Sequence, residues 1–524
     1  MEIGTVIGLL QFSDQCIKYG TKLVKRCKTY RHAQEEAKEL LTTIELNWLK
    51  TDAQIAFLRS IADNLDEKYL AMQCHILSEL EGKLKTASLT LDQLIRSKEQ
   101  GIVLMSTCKK IVFAFKKDSL QVIVEDLEKW QARFDPCWML IMRLESRFVD
   151  DQLFRETQKP AAAQSQFILT AGGIRDAARA ILTNEYSGGM TWLETSLSSV
   201  TRLPSSHVLQ AWDSRSSRLV LLDQMRCMPF ADVEQTTKDA QKLAYILQKV
   251  DSKTFGLLNC QGIIREPKNA QGGYGASQTP PNFNFVFSIP DNVQNPRSLR
   301  YLLQEAAPHP LNKRLDLAKK LANSVLYIHT ARFVHKNLRP ETIIVFEDSK
   351  SVIGSPYLFG FQMFRPVDGQ TYMIGDGNWE QNLYRHPSRQ GIQPEDRYRM
   401  HHDIYSLGVV LLEVGLWSTF VEYPEACTGI AVPSNCLAEL PAGVEKDPRR
   451  RAFKNKQMLE ELAEQNLPRI IGQQYTDVVL LCLRCLNEGD EADLLSDYNG
   501  HRGEFDIGTQ FAYSVLDRIH SISL

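Results

Sequence analysis

Few places in this chain combine residue types and spacing that could do chemistry, and most of those read as structure. Cys482-Leu483-Arg484-Cys485 is a CxxC, but no second cysteine or histidine pair stands at zinc-site spacing. The flanking stretch, Val478 to Leu486, is apolar and helical in pattern, so two buried structural cysteines are expected and no metal site. His401 and His402 precede another apolar helix without an evident set of carboxylate partners and read the same way. Gly272, Gly273 and Gly275 mark a loop between strands. Two segments carry more. Phe333-Val334-His335-Lys336-Asn337-Leu338-Arg339-Pro340-Glu341-Thr342-Ile343-Ile344-Val345 gathers an imidazole, two cations, an amide, a carboxylate and a hydroxyl between apolar flanks. Lys18, Lys22, Lys25, Arg26, Lys28 and Arg31 form a basic run with no acid between Gln15 and Gln34. A run of this kind attracts anionic lipid head groups at about 1 kcal/mol per cation near the surface.

The first of these segments resembles the catalytic loop of the protein kinases, H-R-D-L-x-x-x-N. Further pieces follow the family's order. Ala318 to His329 is similar to the helix before that loop, and Leu358-Phe359-Gly360 stands where D-F-G belongs. Tyr384-Arg385-His386-Pro387 resembles an altered end of the activation segment, and His402 to Leu412 resembles the helix that anchors the large lobe. The resemblance covers about residues 200 to 490. It implies a bilobal α+β kinase-like domain, but one whose chemistry is gone. Where kinases place the aspartate that accepts the substrate proton, this chain has Asn337, whose neutral amide is no carboxylate base. Thr342 replaces the asparagine that holds one magnesium, and Leu358 replaces the aspartate that holds the other, with no side-chain oxygen for a hard cation. Leu219 to Asp223 lies at the V-A-I-K position without its lysine, and Thr195 to Val208 contains no glycine to cover phosphates. His335 and Asp403 are retained, and the resemblance makes them scaffold that ties the loop to the large lobe. The expectation is a pseudokinase with no catalytic residues, no metal and no cofactor beyond weak ATP binding. An unconventional ATP-dependent protein kinase is the alternative.

The elements that must position these residues fall into two parts. At 524 residues, with 43% hydrophobic and 24% charged residues, the chain has the composition of a globular protein of two or three domains. Its net charge of −2 gives no global pull toward nucleic acid, and eleven scattered cysteines fit a reducing, cytoplasmic setting. Residues 1 to 150 read as helix after helix: Leu40, Leu41, Ile44, Trp48 and Leu49 recur at helical spacing, as do Leu70, Cys74, Leu77, Leu80 and Leu84, and Leu120, Ile123, Val124, Leu127 and Phe134. An all-α bundle is expected there. Residues 151–200 read as a linker with a helix, its break near Lys159 to Gln166. The kinase-like domain takes 201–524, with strands at Ser206–Ala211, Arg218–Leu222, Leu257–Ile264 and Phe283–Ile289, a helix at Val233–Val250, and mostly helices from Leu302 onward.

The opening Met1-Glu2-Ile3-Gly4-Thr5-Val6-Ile7-Gly8-Leu9-Leu10-Gln11-Phe12 resembles the start of the fungal HeLo domain, a helical module associated with membrane disruption and programmed cell death. Helical bundle followed by pseudokinase is also the layout of the mixed lineage kinase domain-like pseudokinase. The apolar run is far short of the ~20 residues of a membrane span and lacks the basic flank of a signal peptide. At rest Ile3, Val6, Ile7 and Leu10 are expected to pack into the bundle core. On release they and the basic run become candidates for contact with an anionic plasma-membrane surface. Protein partners, an upstream activator or a second copy, are expected as well. The rival to a membrane effector is an adaptor that acts only through protein contacts.

Overall fold

The computed structural model describes residues 4–31, 38–99, 106–144, 146–182, 192–194, 196–226, 233–265, 282–305, 308–330, 333–348, 353–361, 365–366, 377–391, 393–423, 430–437, 447–486 and 510–523. They form two compact units, Met1–Gly172 and Gly173–Leu524, with the division inside a helix. The chain is helical N-terminally and α+β with small antiparallel sheets C-terminally.

The first unit is built from α1 (Val6–Arg31), α2 (Lys38–Ser60), α3 (Glu67–Glu99) and α4 (Ser106–Met139), followed by α5 (Arg147–Gln158) and the start of α6 (Gln166–Leu182). α1 packs on α2 and α3, and α4 closes the set against the same two helices. The stripes on α3 and α4 are buried as their spacing predicts: Leu70, Cys74, Leu77, Leu80 and Leu84 face inward, as do Leu120, Ile123, Val124, Leu127 and Phe134. On α2 the inward stripe is Leu41, Ile44, Trp48, Ile55 and Leu58. Leu49 is 64% exposed, because one residue beyond Trp48 turns a side chain by about 100° away from the core. Gly20 on α1 lets the Trp48 ring approach so closely that a Cβ there would lie 2.1 Å from it.

A buried polar cluster fixes α2 against α4. Thr51 donates to Gln131 at 2.7 Å, Gln131 donates to Gln54 and to Asp135, Gln54 donates to Asp135 at 2.9 Å, and Lys50 pairs with the same carboxylate. Every member has a partner, which is the condition under which a buried polar network specifies one register.

The second unit opens with a five-stranded antiparallel sheet of order β1-β2-β3-β5-β4: β1 (Leu197–Arg202), β2 (Leu209–Asp213), β3 (Arg218–Arg226), β4 (Cys260–Arg265) and β5 (Asn282–Ser288). α7 (Val233–Leu247) and the single turn α8 (Ser252–Phe255) lie between β3 and β4. β1 answers to no expected strand, and the strand expected from Ser206 starts at Leu209. The Gly272–Gly275 loop lies outside the described residues. After β6 (Val293–Ser298) come α9 (Leu299–Leu303), α10 (Leu311–Thr330), β7 (Phe333–Val334), β8 (Ile343–Asp348), β9 (Pro356–Leu358), β10 (Arg365–Pro366), α11 (Trp379–Asn382) and α12 (Met400–Leu416). β6, β8 and β9 form a three-stranded antiparallel sheet, and β7 pairs with β10. α12 is buried along nearly its whole length, with α10, α13 (Pro448–Ile470) and α14 (Gln473–Leu483) packed against it.

Candidate functional site

The segment between β7 and β8 is held from below by one carboxylate. Asp403, in the first turn of α12, accepts from the backbone amides of His335 at 2.7 Å and Lys336 at 2.9 Å, and from the Tyr398 hydroxyl at 2.7 Å. His329 at the end of α10 lies 3.1 Å away. Burial alone would push Asp403 up, but His329, the neighbouring His335 and the Tyr398 hydroxyl hold it below the ordinary carboxylate range. His335 is buried and pushed down to about 4, so its imidazole is neutral, and its Nδ1 accepts from the Asn337 amide at 3.3 Å. Lys336 takes the left-handed conformation at φ 63° and lies over the Tyr398 ring at 5.3 Å.

Asn337 and Thr342 meet around Gly360. The Asn337 side chain donates to the Gly360 carbonyl at 3.3 Å and accepts from Arg339 Nε at 3.0 Å. The Thr342 hydroxyl donates to the Asn337 carbonyl at 2.7 Å and accepts from the Arg339 amide, so it is spent on holding the loop. The Leu358 side chain is fully buried at the end of β9, paired with Ile343. Gly360 is required twice over: its φ is +84°, and a Cβ would meet Thr342 at 2.6 Å and Asn337 at 2.8 Å. An amide, an engaged hydroxyl and an alkyl group are no donor set for magnesium, which calls for carboxylate and water oxygens. The residues do not fit the metal.

Asp223 on β3 bonds the segment that follows β9. Its Oδ2 accepts from the backbone amides of Gly360 at 2.9 Å and Phe361 at 2.7 Å. Burial pushes this carboxyl up to about 6, against the opposing pull of the two amides. Phe287 from β5 meets Phe359 edge to face and Phe361 at a tilt, with ring centroids 5.1 and 5.9 Å apart. The β1–β2 connection, Leu203 to Val208, is tied down as well: Ser206 Oγ donates to the Glu341 carbonyl at 2.7 Å, and Ser298 Oγ donates to the Pro204 carbonyl at 2.8 Å. Among the described residues, a groove of about 980 Å³ is walled by Trp212, Arg218, Leu219, Pro290, Val293 and Glu347.

A second buried network joins the loop to the rest of the unit. Arg300 on α9 bonds Glu341 at 3.1 Å, Glu413 at 3.0 Å and the Tyr384 hydroxyl at 2.7 Å, and also reaches Thr419. Burial pushes Glu413 up to about 7 despite Arg300, whereas Arg300 and Arg339 together overcome burial at Glu341 and hold it down. Cys482 and Cys485 are both buried; Cys482 packs where Gly408 of α12 leaves room, and burial raises both thiols.

On α1 the inward stripe is Leu9, Phe12, Cys16, Leu23 and Cys27. The core expected from Val6, Ile7 and Leu10 is therefore displaced: Ile7 is 63% exposed, and Val6 and Leu10 are half-buried. Both sets share a three-to-four spacing, and the phase is decided by Gly20, where Trp48 of α2 presses in. Ile3 lies outside the described residues, as does the side chain of Arg31. Lys18, Lys25 and Lys28 point outward, while Lys22 and Arg26 reach Asp92 of α3 at 3.7 and 2.7 Å. No helix among the described residues is long and apolar enough to cross a membrane.

No family model matches the chain. A stretch of 156 residues is 24% identical to a protein of Dictyostelium discoideum described as a probable serine/threonine-protein kinase. The match covers 29% of this chain and 9% of that protein, a distant and partial likeness. Of the residues that the resemblance grouped, His335, Asn337, Thr342 and Asp403 are linked by hydrogen bonds, and Leu358 is paired with Ile343 on the neighbouring strand. The resemblance did not give the bonds of Asp223 to Gly360 and Phe361 or the Arg300 network, whose partners are far apart in the chain.

Proposed function

We propose that this chain is a signalling or effector pseudokinase: a kinase-like second unit that binds and regulates but does not transfer phosphate, joined to a HeLo-like helical unit that delivers the output. The observation that carries the reading is Asn337, an amide at the base position engaged with Gly360 rather than free to meet a substrate hydroxyl. Supporting it are the element order of the second unit, the hold of Asp403 on the loop amides, and the partial likeness to a probable kinase. Phosphoryl transfer needs base, metal and phosphate cradle together, and all three positions carry unsuited residues. Incubating the purified full chain with labelled ATP, magnesium or manganese and generic substrates tests the reading, and no incorporation above background is expected.

For the helical unit we favour regulated contact with an anionic membrane surface by an otherwise cytoplasmic protein. The outward face of α1 carries exposed Ile7 at one end and Lys18, Lys25 and Lys28 farther along. Apolar insertion and charge attraction are two weak signals that together anchor a peripheral protein. Control passes through a protein partner, an activator or a second copy. An adaptor that never meets lipid is the competing reading, and vesicle binding separates the two.

A further inference from the structure

We infer that the consecutive backbone amides of Gly360 and Phe361 form an oxyanion-binding nest, and that Asp223 occupies it in cis as the chain's own blocking ligand. The inference rests on the pseudokinase reading and deepens it, since it says what fills the cleft in place of a nucleotide phosphate. Asp223 ends the Leu219–Asp223 segment, where kinases carry a phosphate-binding lysine. Here a carboxylate stands instead, and one of its oxygens takes both amides at 2.9 and 2.7 Å. The left-handed turn at Gly360 swings two successive N–H groups to one side, the arrangement in which a peptide concavity holds an anion.

The rest of the surroundings suits an occupied and closed site. Asp223 is 4% exposed, and burial raises its carboxyl, so the nest holds it against the loss of its hydration. Cys260 of β4 is a titratable neighbour that feels its charge, and burial holds that thiol protonated. Ser206 fastens the β1–β2 connection to the Glu341 carbonyl. A phosphate entering from solvent meets a like charge and two amides already in use. The ligand class that the nest takes once the carboxylate is removed is a small oxyanion, such as inorganic phosphate or the terminal phosphate of a nucleotide.

The experiment uses the full chain, wild type and Asp223→Ala, titrated with inorganic phosphate and separately with ADP, without metal, and followed by thermal shift and calorimetry. Wild type is expected to bind neither. Asp223→Ala should gain phosphate affinity by about tenfold or more, the worth of one charge-assisted hydrogen bond. If that variant folds poorly, Asp223→Ser opens the same nest with a short polar side chain, and concentrated phosphate should restore the melting temperature of either. A folded Asp223→Ala that binds phosphate no better than wild type overturns the inference, as does failure of both variants to recover in phosphate. Tight ADP binding by wild type overturns it too. Phosphate transfer by wild type would instead overturn the underlying pseudokinase reading, so the two failures are distinguishable.

Discussion

Arg300 and Glu413 face each other at 3.0 Å with neither side chain exposed, and Glu341 shares the same guanidinium. Removing one partner of a buried set leaves uncompensated charge behind. Arg300→Ala should therefore destabilise the second unit by about 3–5 kcal/mol in urea unfolding. The Glu413 carboxyl has a pH signature of its own. Its folded pKa is raised to about 7 from 4.5, so its contribution is fully present below pH 4.5 and is lost as pH rises through 7. Relative to Glu413→Gln, wild type should lose stability across that window; a constant difference would show that Glu413 is not protonated there.

His386 gives the opposite slope. Burial, helped by Lys456, depresses it to about 4 from 6.5, and its Nδ1 lies 2.9 Å from Ser388 Oγ. The unfolded chain binds the proton more readily, so the contribution is present above pH 6.5 and is lost as pH falls through 4. The full change is roughly 3 kcal/mol for a shift of this size. His386→Gln should remove that part of the acid limb from a melting-temperature profile between pH 7 and pH 4.

Gly20→Ala should destabilise the helical unit. The added methyl would sit 2.1 Å from the rigid Trp48 ring, and overpacking of this kind costs about 1–3 kcal/mol or more. Gly82 on α3 has nothing within 4 Å of a built Cβ. Gly82→Ala should leave stability unchanged or raise it slightly, and equal losses in both variants would contradict the packing described.

The two elements differ in how legible they were. α3 declared itself because Leu70, Cys74, Leu77, Leu80 and Leu84 repeat on one face with nothing competing. α1 offered two apolar faces of similar spacing, and only the Gly20–Trp48 contact with another helix chose between them. β1 escaped notice because Leu197-Ser198-Ser199-Val200-Thr201-Arg202 is an exposed edge strand without period-two alternation. The loop from His335 to Thr342 was readable because its order of residues follows a known pattern. The bonds that Asp223 makes were not, since the amides it accepts from are 137 and 138 residues away.

The membrane reading predicts a salt-dependent interaction. Full-length protein, once released by its activating partner or by mild destabilisation, should bind vesicles containing anionic lipid. Binding should weaken as ionic strength rises, because the Debye length falls to about 8 Å near physiological salt. Lys18→Glu, Lys25→Glu and Lys28→Glu together change three outward side chains and should abolish binding with helicity intact by circular dichroism. Binding that ignores both salt and these charges would favour the adaptor reading.

The most direct test of the central claim is phosphate transfer by the purified full chain. With labelled ATP and either magnesium or manganese, incorporation into the protein itself or into generic substrates should stay at background, because Asn337, Thr342 and Leu358 supply neither base nor metal ligands. Incorporation that survives stringent purification and vanishes in Asn337→Ala would contradict the account.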